Sequence, residues 1–404
     1  MQRRTFLRCL AGFAGAAAVP SRLLAGASPE RLVIVGGGIL GASLAYHLAR
    51  RGARVTLLEK DYPASGATGR SFAWINADFR KQPFHYHQLN RLSLMSYRIL
   101  EQQLPGLPVQ WGGCLQWYLD APRADELRRQ VRLQQEWGYN VRLVSQQEFH
   151  NLESEFQPGK FLAASFAEHE GFIDPVATTA LLLKSAQAAG AEIVHPSEVV
   201  GFDLESGRVR AVKTTNGPFP TDFLILAAGV DTPSLASFAG VHIPLVPAPG
   251  LLVHSKPMPQ LVHRVVVGPD AHLKQYHDGR MVIGDDFGPP KTPVHEYLNS
   301  HPLDFPNEAI RALHRQRILK QASQYLPQIA DAPVEKVTLG WRPMPKDGFP
   351  IVGPSSQCPN LYVVVTHSGV TLAPLLGEII SLEVLDRVAV LMLEPYRPSR
   401  FRGT

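Results

Sequence analysis

The sequence predicts an α/β fold, α+β overall, in which a discontinuous parallel-sheet domain is joined to a second domain built on an antiparallel sheet. Three observations predict it. Residues 31–59 read RLVIVGGGILGASLAYHLARRGARVTLLE: a strand, a glycine turn, a helix and a second strand. Two more short apolar runs, FLIL from Phe223 and YVVV from Tyr362, read as buried strands far along the chain, so the parallel sheet must be assembled from separated pieces. Leu115, Trp117 and Leu119 alternate as a half-buried strand does, and AHLKQYHDGRMVI (271–283) reads as a hairpin turning at Asp278-Gly279.

The first unit carries a physical task at each position. Leu32 to Val35 form the first strand, and Gly36, Gly38 and Gly41 follow in a G-x-G-x-x-G pattern. Gly36 permits the tight turn, Gly38 lets backbone approach a pyrophosphate, and Gly41 lets helix and strand pack closely. The helix N-terminus offers free N–H groups and a positive dipole end. Gly52 closes the helix, and Val55 to Leu58 make the second strand. Glu59 then stands where ribose hydroxyls need an acceptor, with Lys60 beside it as a further candidate. Strand, helix, second strand and acid at these spacings specify a Rossmann-like dinucleotide site, which isolated glycines would not.

Ser65 to Ala77, SGATGRSFAWINA, is dense in small hydroxyl residues and glycine mixed with Phe72, Trp74 and Ile75. Asp174-Pro175 starts a helix with an Asp cap and Pro in the first turn, leading through Gly190 to a strand at Glu192 to Val194. A helix is expected over Asn307 to Leu326. The resulting division is residues 1–27 as a targeting signal; 28–90, 170–235 and 340–404 as the dinucleotide domain; and 91–169 with 236–339 as the substrate domain.

The signal assignment rests on the first residues. Arg3 and Arg4 precede Phe6, Leu7 and Arg8, a weak Ala/Gly stretch ends at Pro20, and Ala25-Gly26-Ala27 suits cleavage. The pattern resembles a twin-arginine signal, a route for proteins that fold before export, and predicts a periplasmic or otherwise exported protein. Without residues 1–27 the chain has 36 basic and 35 acidic side chains, which argues against nucleic acid as partner. No apolar run in the mature part is long enough to span a bilayer. Cys114 and Cys358 lack metal-ligand spacing and are read as buried free thiols, with a disulfide between them as the alternative for an exported chain, and no metal is expected.

The most specific segments lie near the C-terminus: GWRPMPKDGFPIVG at 340–353 and LYVVVTHSGVTLAPLLGE at 361–378. With the first unit and the strand around Ala227, they resemble the D-amino acid oxidase, glycine oxidase and sarcosine oxidase family of FAD enzymes, residues 91–164 and 236–339 matching only in outline. The resemblance implies FAD as cofactor, with Ser65, Thr68 and Ser71 on the loop over pyrophosphate and flavin. It places Ala228 and Gly229 on the strand end near FAD, and Gly369, Val370 and Thr371 where a helix, expected from about Leu372, meets the flavin. Arg342, in a stretch kept from regular structure by prolines and glycines, is then the substrate carboxylate ligand, unless it pairs internally with Asp347. His367 is a candidate at the substrate. Lys274 and Tyr276, which share one face of the hairpin arm with His272, are candidates on the sheet over the active site, though a solvated strand face explains them equally.

Sarcosine oxidases of this type attach flavin through a cysteine near the Arg342 motif. This chain has none between Cys114 and Cys358, so the FAD is expected to be non-covalent. The expected reaction is hydride transfer to flavin from the carbon bearing the nitrogen of a small carboxylate-bearing amine, with oxygen, a quinone or an exported carrier as electron acceptor. Dehydrogenation of a 2-hydroxy acid is the alternative, since Arg342 serves either carboxylate. A non-catalytic flavoprotein is disfavoured by the intact carboxylate motif.

Overall fold

A computed structural model describes residues 31–285, 298 and 307–401; the signal expected at residues 1–27 lies outside the described residues. A six-stranded sheet runs in the spatial order Ile351–Pro354, Leu361–Val365, Phe223–Leu226, Leu32–Val35, Val55–Leu58, Glu192–Val194. Its pairs are parallel except at the Ile351–Pro354 edge, which is antiparallel. The apolar strand runs are continuous because both faces are covered. Leu32 and Ile34 enter the core with helices Ile39–Arg50 and Gly369–Leu385. Val33 and Val35 enter a second core with Phe202, Val209 and Val212 of a three-stranded sheet.

The other large sheet has eight strands, in the order Val334–Trp341, Pro249–Ser255, Met281–Asp285, Ala271–Gln275, Val265–Val267, Cys114–Tyr118, Ala163–Ala167, Val141–Leu143. Only the pairing of Val265–Val267 with Cys114–Tyr118 is parallel. The alternation expected at Leu115, Trp117 and Leu119 needs correction, since all of Cys114–Tyr118 is buried. Leu115 and Trp117 meet one core, containing Phe149 and Ile318, while Cys114 and Tyr118 meet the other. Leu119 lies past the strand and is 40% exposed.

Helix boundaries follow their caps. The Asp174 carboxylate accepts the Val176 and Ala177 N–H groups at the start of Pro175–Ala188, and Asn307 caps Glu308–Ser323 through the Ile310 N–H. Helix Phe84–Gln103 crosses the domain boundary expected at residue 90. Beyond that residue Ser93 Oγ donates to the Thr371 carbonyl and Tyr97 OH to that of Val370, each at 2.6 Å, while Arg91 donates to the Trp137 carbonyl and Glu101 accepts the Trp111 indole N–H. Pro374 inside helix Gly369–Leu385 has no N–H for the Val370 carbonyl, and the Tyr97 hydroxyl satisfies that carbonyl instead. Cys114 and Cys358 are both buried and free.

Candidate functional site

A cavity of about 1030 Å³ runs from the glycine turn to the end of the eight-stranded sheet. At one end Gly36 has φ +112°, and a Cβ there would lie 2.5 Å from the Ala227 carbonyl oxygen. Only glycine fits that turn. Gly38 opens onto the cavity, where a Cβ would lie 3.1 Å from Thr68 Oγ1. A Cβ on Gly41 would collide with the Gly36 carbonyl, so this glycine serves helix–strand packing and is not on the cavity wall. Glu59 is held rigidly, with Oε2 accepting the Gly37 N–H at 2.7 Å and Oε1 the Asp61 N–H at 3.0 Å. Each oxygen keeps a lone pair for a further donor. Lys60 pairs with Asp231 at 2.8 Å, and that hydrogen bond is the main cause of its raised pKa.

Ser65, Thr68 and Ser71 line the cavity, as do Ala228, Gly229, Gly369, Val370 and Thr371. Thr68 Oγ1 accepts the Ile39 N–H at 3.1 Å, tying the loop to the start of helix Ile39–Arg50. Thr371 Oγ1 donates to the Trp74 carbonyl and accepts the Asn76 N–H, fixing the same loop to the second helix. That helix begins at Gly369, three residues earlier than expected, because the chain turns directly from strand Leu361–Val365 into it. Ser43 Oγ donates to the Ala373 carbonyl, and a Cβ on Gly377 would strike Ser43, so the two helices touch. Their N-termini therefore open on one cavity, offering two positive dipole ends. The glycine cradle, the buried acceptor at Glu59 and the paired helix ends fit a dinucleotide with an anionic pyrophosphate.

Arg342 stands at the other end. It lies just past edge strand Val334–Trp341 and is itself outside regular structure, as expected, although strand reaches into the stretch at Gly340 and Trp341. Its N–H continues the ladder to the Ala248 carbonyl, while Nε and Nη2 donate to the carbonyls of Ala248 and Pro249 at 3.2 and 3.0 Å. Gly250 lies against the guanidinium, where a Cβ would sit in ordinary contact at 3.6 Å from Nε. The internal pairing with Asp347 does not form, because Asp347 binds Arg400. Among the described residues no carboxylate reaches Arg342, and burial alone lowers its pKa.

His367 lines the cavity beside it. Its ring is open to the cavity yet lies far from the outer surface. Burial, and then the charges of Lys81 and Arg342, push its pKa down to about 3. His272 also lines the cavity and is pushed down to about 3, mainly by burial.

Lys274 and Tyr276 are brought together but are not on the cavity wall. The face they share is covered, not solvated, and Lys274 is wholly buried. Its Nζ donates to Tyr276 OH at 2.9 Å and the Ile173 carbonyl at 3.2 Å, and sits 4.8 Å from the Phe172 ring and 5.4 Å from that of Phe72. Burial lowers its pKa well below the usual value, and burial raises that of Tyr276.

Sequence reasoning missed Lys81, a nearly buried cation on the wall whose Nζ donates to Ser368 Oγ at 2.6 Å. It also missed Asp78 and Glu170, two buried carboxylates behind the loop. Glu170 accepts from the Trp74 indole and from the Ala77 and Asp78 N–H groups, and Gln130 donates to Asp78. Burial raises both pKa values, and the Asp78 charge raises that of Glu170 further.

The comparisons agree with this geometry. Glycine oxidase of Pseudomonas aeruginosa is 26% identical over 92% of this chain and 99% of its own length. L-proline dehydrogenase from P. horikoshii superposes with a TM-score of 0.82 at 22% identity, over 93% of this chain and 98% of its own. Glycine oxidase from Geobacillus kaustophilus gives 0.82 at 23% identity, over 93% and 100%. Residues 31–381 match the family described as FAD dependent oxidoreductase, and the cavity has the cradle such a cofactor needs; the chain belongs to that family.

Proposed function

We propose that this chain is an exported FAD-dependent enzyme that oxidises the C–N bond of an amino acid or secondary amine acid. The observation that carries the reading is Arg342, a guanidinium deep in the cofactor cavity, aimed by two backbone carbonyls and left without a carboxylate partner among the described residues. Relatives named glycine oxidase and a structural neighbour named L-proline dehydrogenase support a small amine acid as substrate.

Bound FAD supplies the two-electron acceptor for the C–H bond next to nitrogen. The chain supplies position and charge. Arg342 grips the carboxylate through a planar fork, which removes rotational freedom from the reacting carbon. His367, on the same wall, can offer the substrate a hydrogen bond. The N-terminus of helix Gly369–Leu385 contributes positive potential at the cavity wall. The imine product is hydrolysed by water to an oxo acid and ammonia or an amine.

Anaerobic bleaching of the purified holoenzyme's flavin by D- and L-amino acids, N-methyl amino acids and 2-hydroxy acids tests this reading. Bleaching by an amine acid supports it. Bleaching by hydroxy acids alone transfers the site to the alternative chemistry, and no bleaching by any carboxylate overturns both. Export is tested separately by replacing Arg3 and Arg4 with lysine, which is expected to hold a folded, yellow precursor in the cytoplasm.

A further inference from the structure

Lys81 is not used by the function proposed above. It follows the loop that lines the cavity and is 8% exposed. An ammonium has three donors; one goes to Ser368 Oγ at 2.6 Å, and the nitrogen lies 5.1 Å from the Tyr86 ring centre. Ser368 Oγ is in turn 2.8 Å from Tyr86 OH. No carboxylate among the described residues lies within ion-pair distance of Lys81. Removing a cation from water against one hydroxyl and a ring face is costly unless an anion compensates.

Arg342 is in the same position on the same cavity. His367 feels both charges, Lys81 more than Arg342, so the two cations bear on one imidazole from within one site. Neither cation has a carboxylate partner among the described residues, and one substrate carboxylate offsets only one of them. Asp61, Arg70, Arg80 and Glu198 also line the wall, and three of its other charged groups have partners of their own. Lys60 is paired with Asp231, Asp285 with Arg317, and Glu59 with backbone N–H groups.

We propose that Lys81 binds a second carboxylate of the substrate, so that the enzyme acts on amine dicarboxylic acids, one carboxylate held by Arg342 and the other by Lys81. This rests on the Arg342 reading and narrows it to a substrate class. The two free donors of the ammonium point the same need: an acceptor that arrives with the ligand. A charged acceptor satisfies both hydrogen bonding and charge.

The test uses holoenzyme and two readouts. In turnover, kcat/KM is measured for aspartate, glutamate and N-(carboxymethyl) amino acids against monocarboxylate counterparts of matched length. The wild type is expected to prefer the dicarboxylates. Lys81→Met should lower the dicarboxylate-to-monocarboxylate ratio by about 10- to 100-fold, the size of one charge-assisted hydrogen bond, and Lys81→Arg should keep much of it. In binding, malonate and acetate, neither oxidisable here, are titrated against the flavin absorbance. Malonate should bind more tightly than acetate in the wild type and lose that advantage in Lys81→Met. A wild type that prefers monocarboxylates, or a Lys81→Met ratio that does not move because both classes fall together, overturns the proposal. The malonate titration reads the Lys81 site even if no amine acid is turned over, which separates failure here from failure of the amine-oxidation reading. FAD content of each variant is measured alongside, and a Lys81→Met protein that loses FAD transfers the decision to the wild-type and Lys81→Arg measurements.

Discussion

Arg342→Ala is the most direct perturbation of the site, and its size follows from the donors the structure leaves free. A guanidinium has five N–H donors. Nε and one Nη2 hydrogen are committed to the Ala248 and Pro249 carbonyls, leaving three, enough for a two-pronged grip from the terminal nitrogens. Each charge-assisted hydrogen bond is worth about 1.5–3 kcal/mol, so two are worth about 3–6 kcal/mol. At 1.4 kcal/mol per factor of ten, kcat/KM should fall by roughly 10²- to 10⁴-fold. Arg342→Lys should recover only part, because an ammonium cannot reproduce the fork. The assay is steady-state kcat/KM with the best substrate from the bleaching panel, and the flavin content should match the wild type. Three results would refute the reasoning: a loss below tenfold, release of FAD by the variant, or an amide of the substrate reacting as well as the acid.

Other consequences are open to measurement. Gly38→Val places a branched side chain against Thr68 at the pyrophosphate cradle and should abolish flavin retention, read from the absorbance of the purified protein. Acid precipitation of the holoenzyme should release the yellow colour into the supernatant, because no cysteine lines the cavity among the described residues; colour in the pellet would show a covalent bond. Glu170 and Asp78 are held above the usual carboxylate range, Glu170 up to about 8, so the folded state binds more protons than the unfolded chain. Their contribution is fully present below the unfolded values and is lost as pH rises toward the folded ones, so Tm should fall between about pH 5 and 8. Glu170→Gln should flatten that slope while costing about 1–3 kcal/mol, since one amide nitrogen must then face a donor such as the Trp74 indole or the Ala77 N–H. A slope as steep as the wild type's would remove the pair from the explanation.

What was legible in the sequence is what local chemistry enforces. Gly36, Gly38, Gly41 and Glu59 are readable because one strand–helix–strand unit needs them at fixed offsets, and all but Gly41 reach the cavity. Arg342 was readable from its motif, but its alignment by Ala248 and Pro249 depends on a strand pairing nearly a hundred residues distant in sequence. The face shared by His272, Lys274 and Tyr276 follows from alternation. Whether that face is wet depends on Phe72 and Phe172, which come from elsewhere in the chain. Lys81 carries no local signature. Its partner Ser368 lies 287 positions away, and nothing in FRKQP distinguishes a buried ammonium from a surface one. The hydrogen bonds that tie helix Phe84–Gln103 to helix Gly369–Leu385 are visible only in the folded chain.

The cavity also has an order of assembly in time. Its first wall, the glycine turn, is made at residue 36, but its last, the helix start through Thr371, comes near the end of the chain. At roughly 5–20 residues per second of synthesis, some tens of seconds separate the two. A nascent chain therefore presents half a cradle for most of its synthesis and can close around its cofactor only once ribosomal elongation is nearly done. A targeting sequence at the extreme N-terminus would emerge long before that moment. Any export route that threads the chain as it is made would act before there is a site to load, whereas one that waits for the folded protein would act after the cavity is complete.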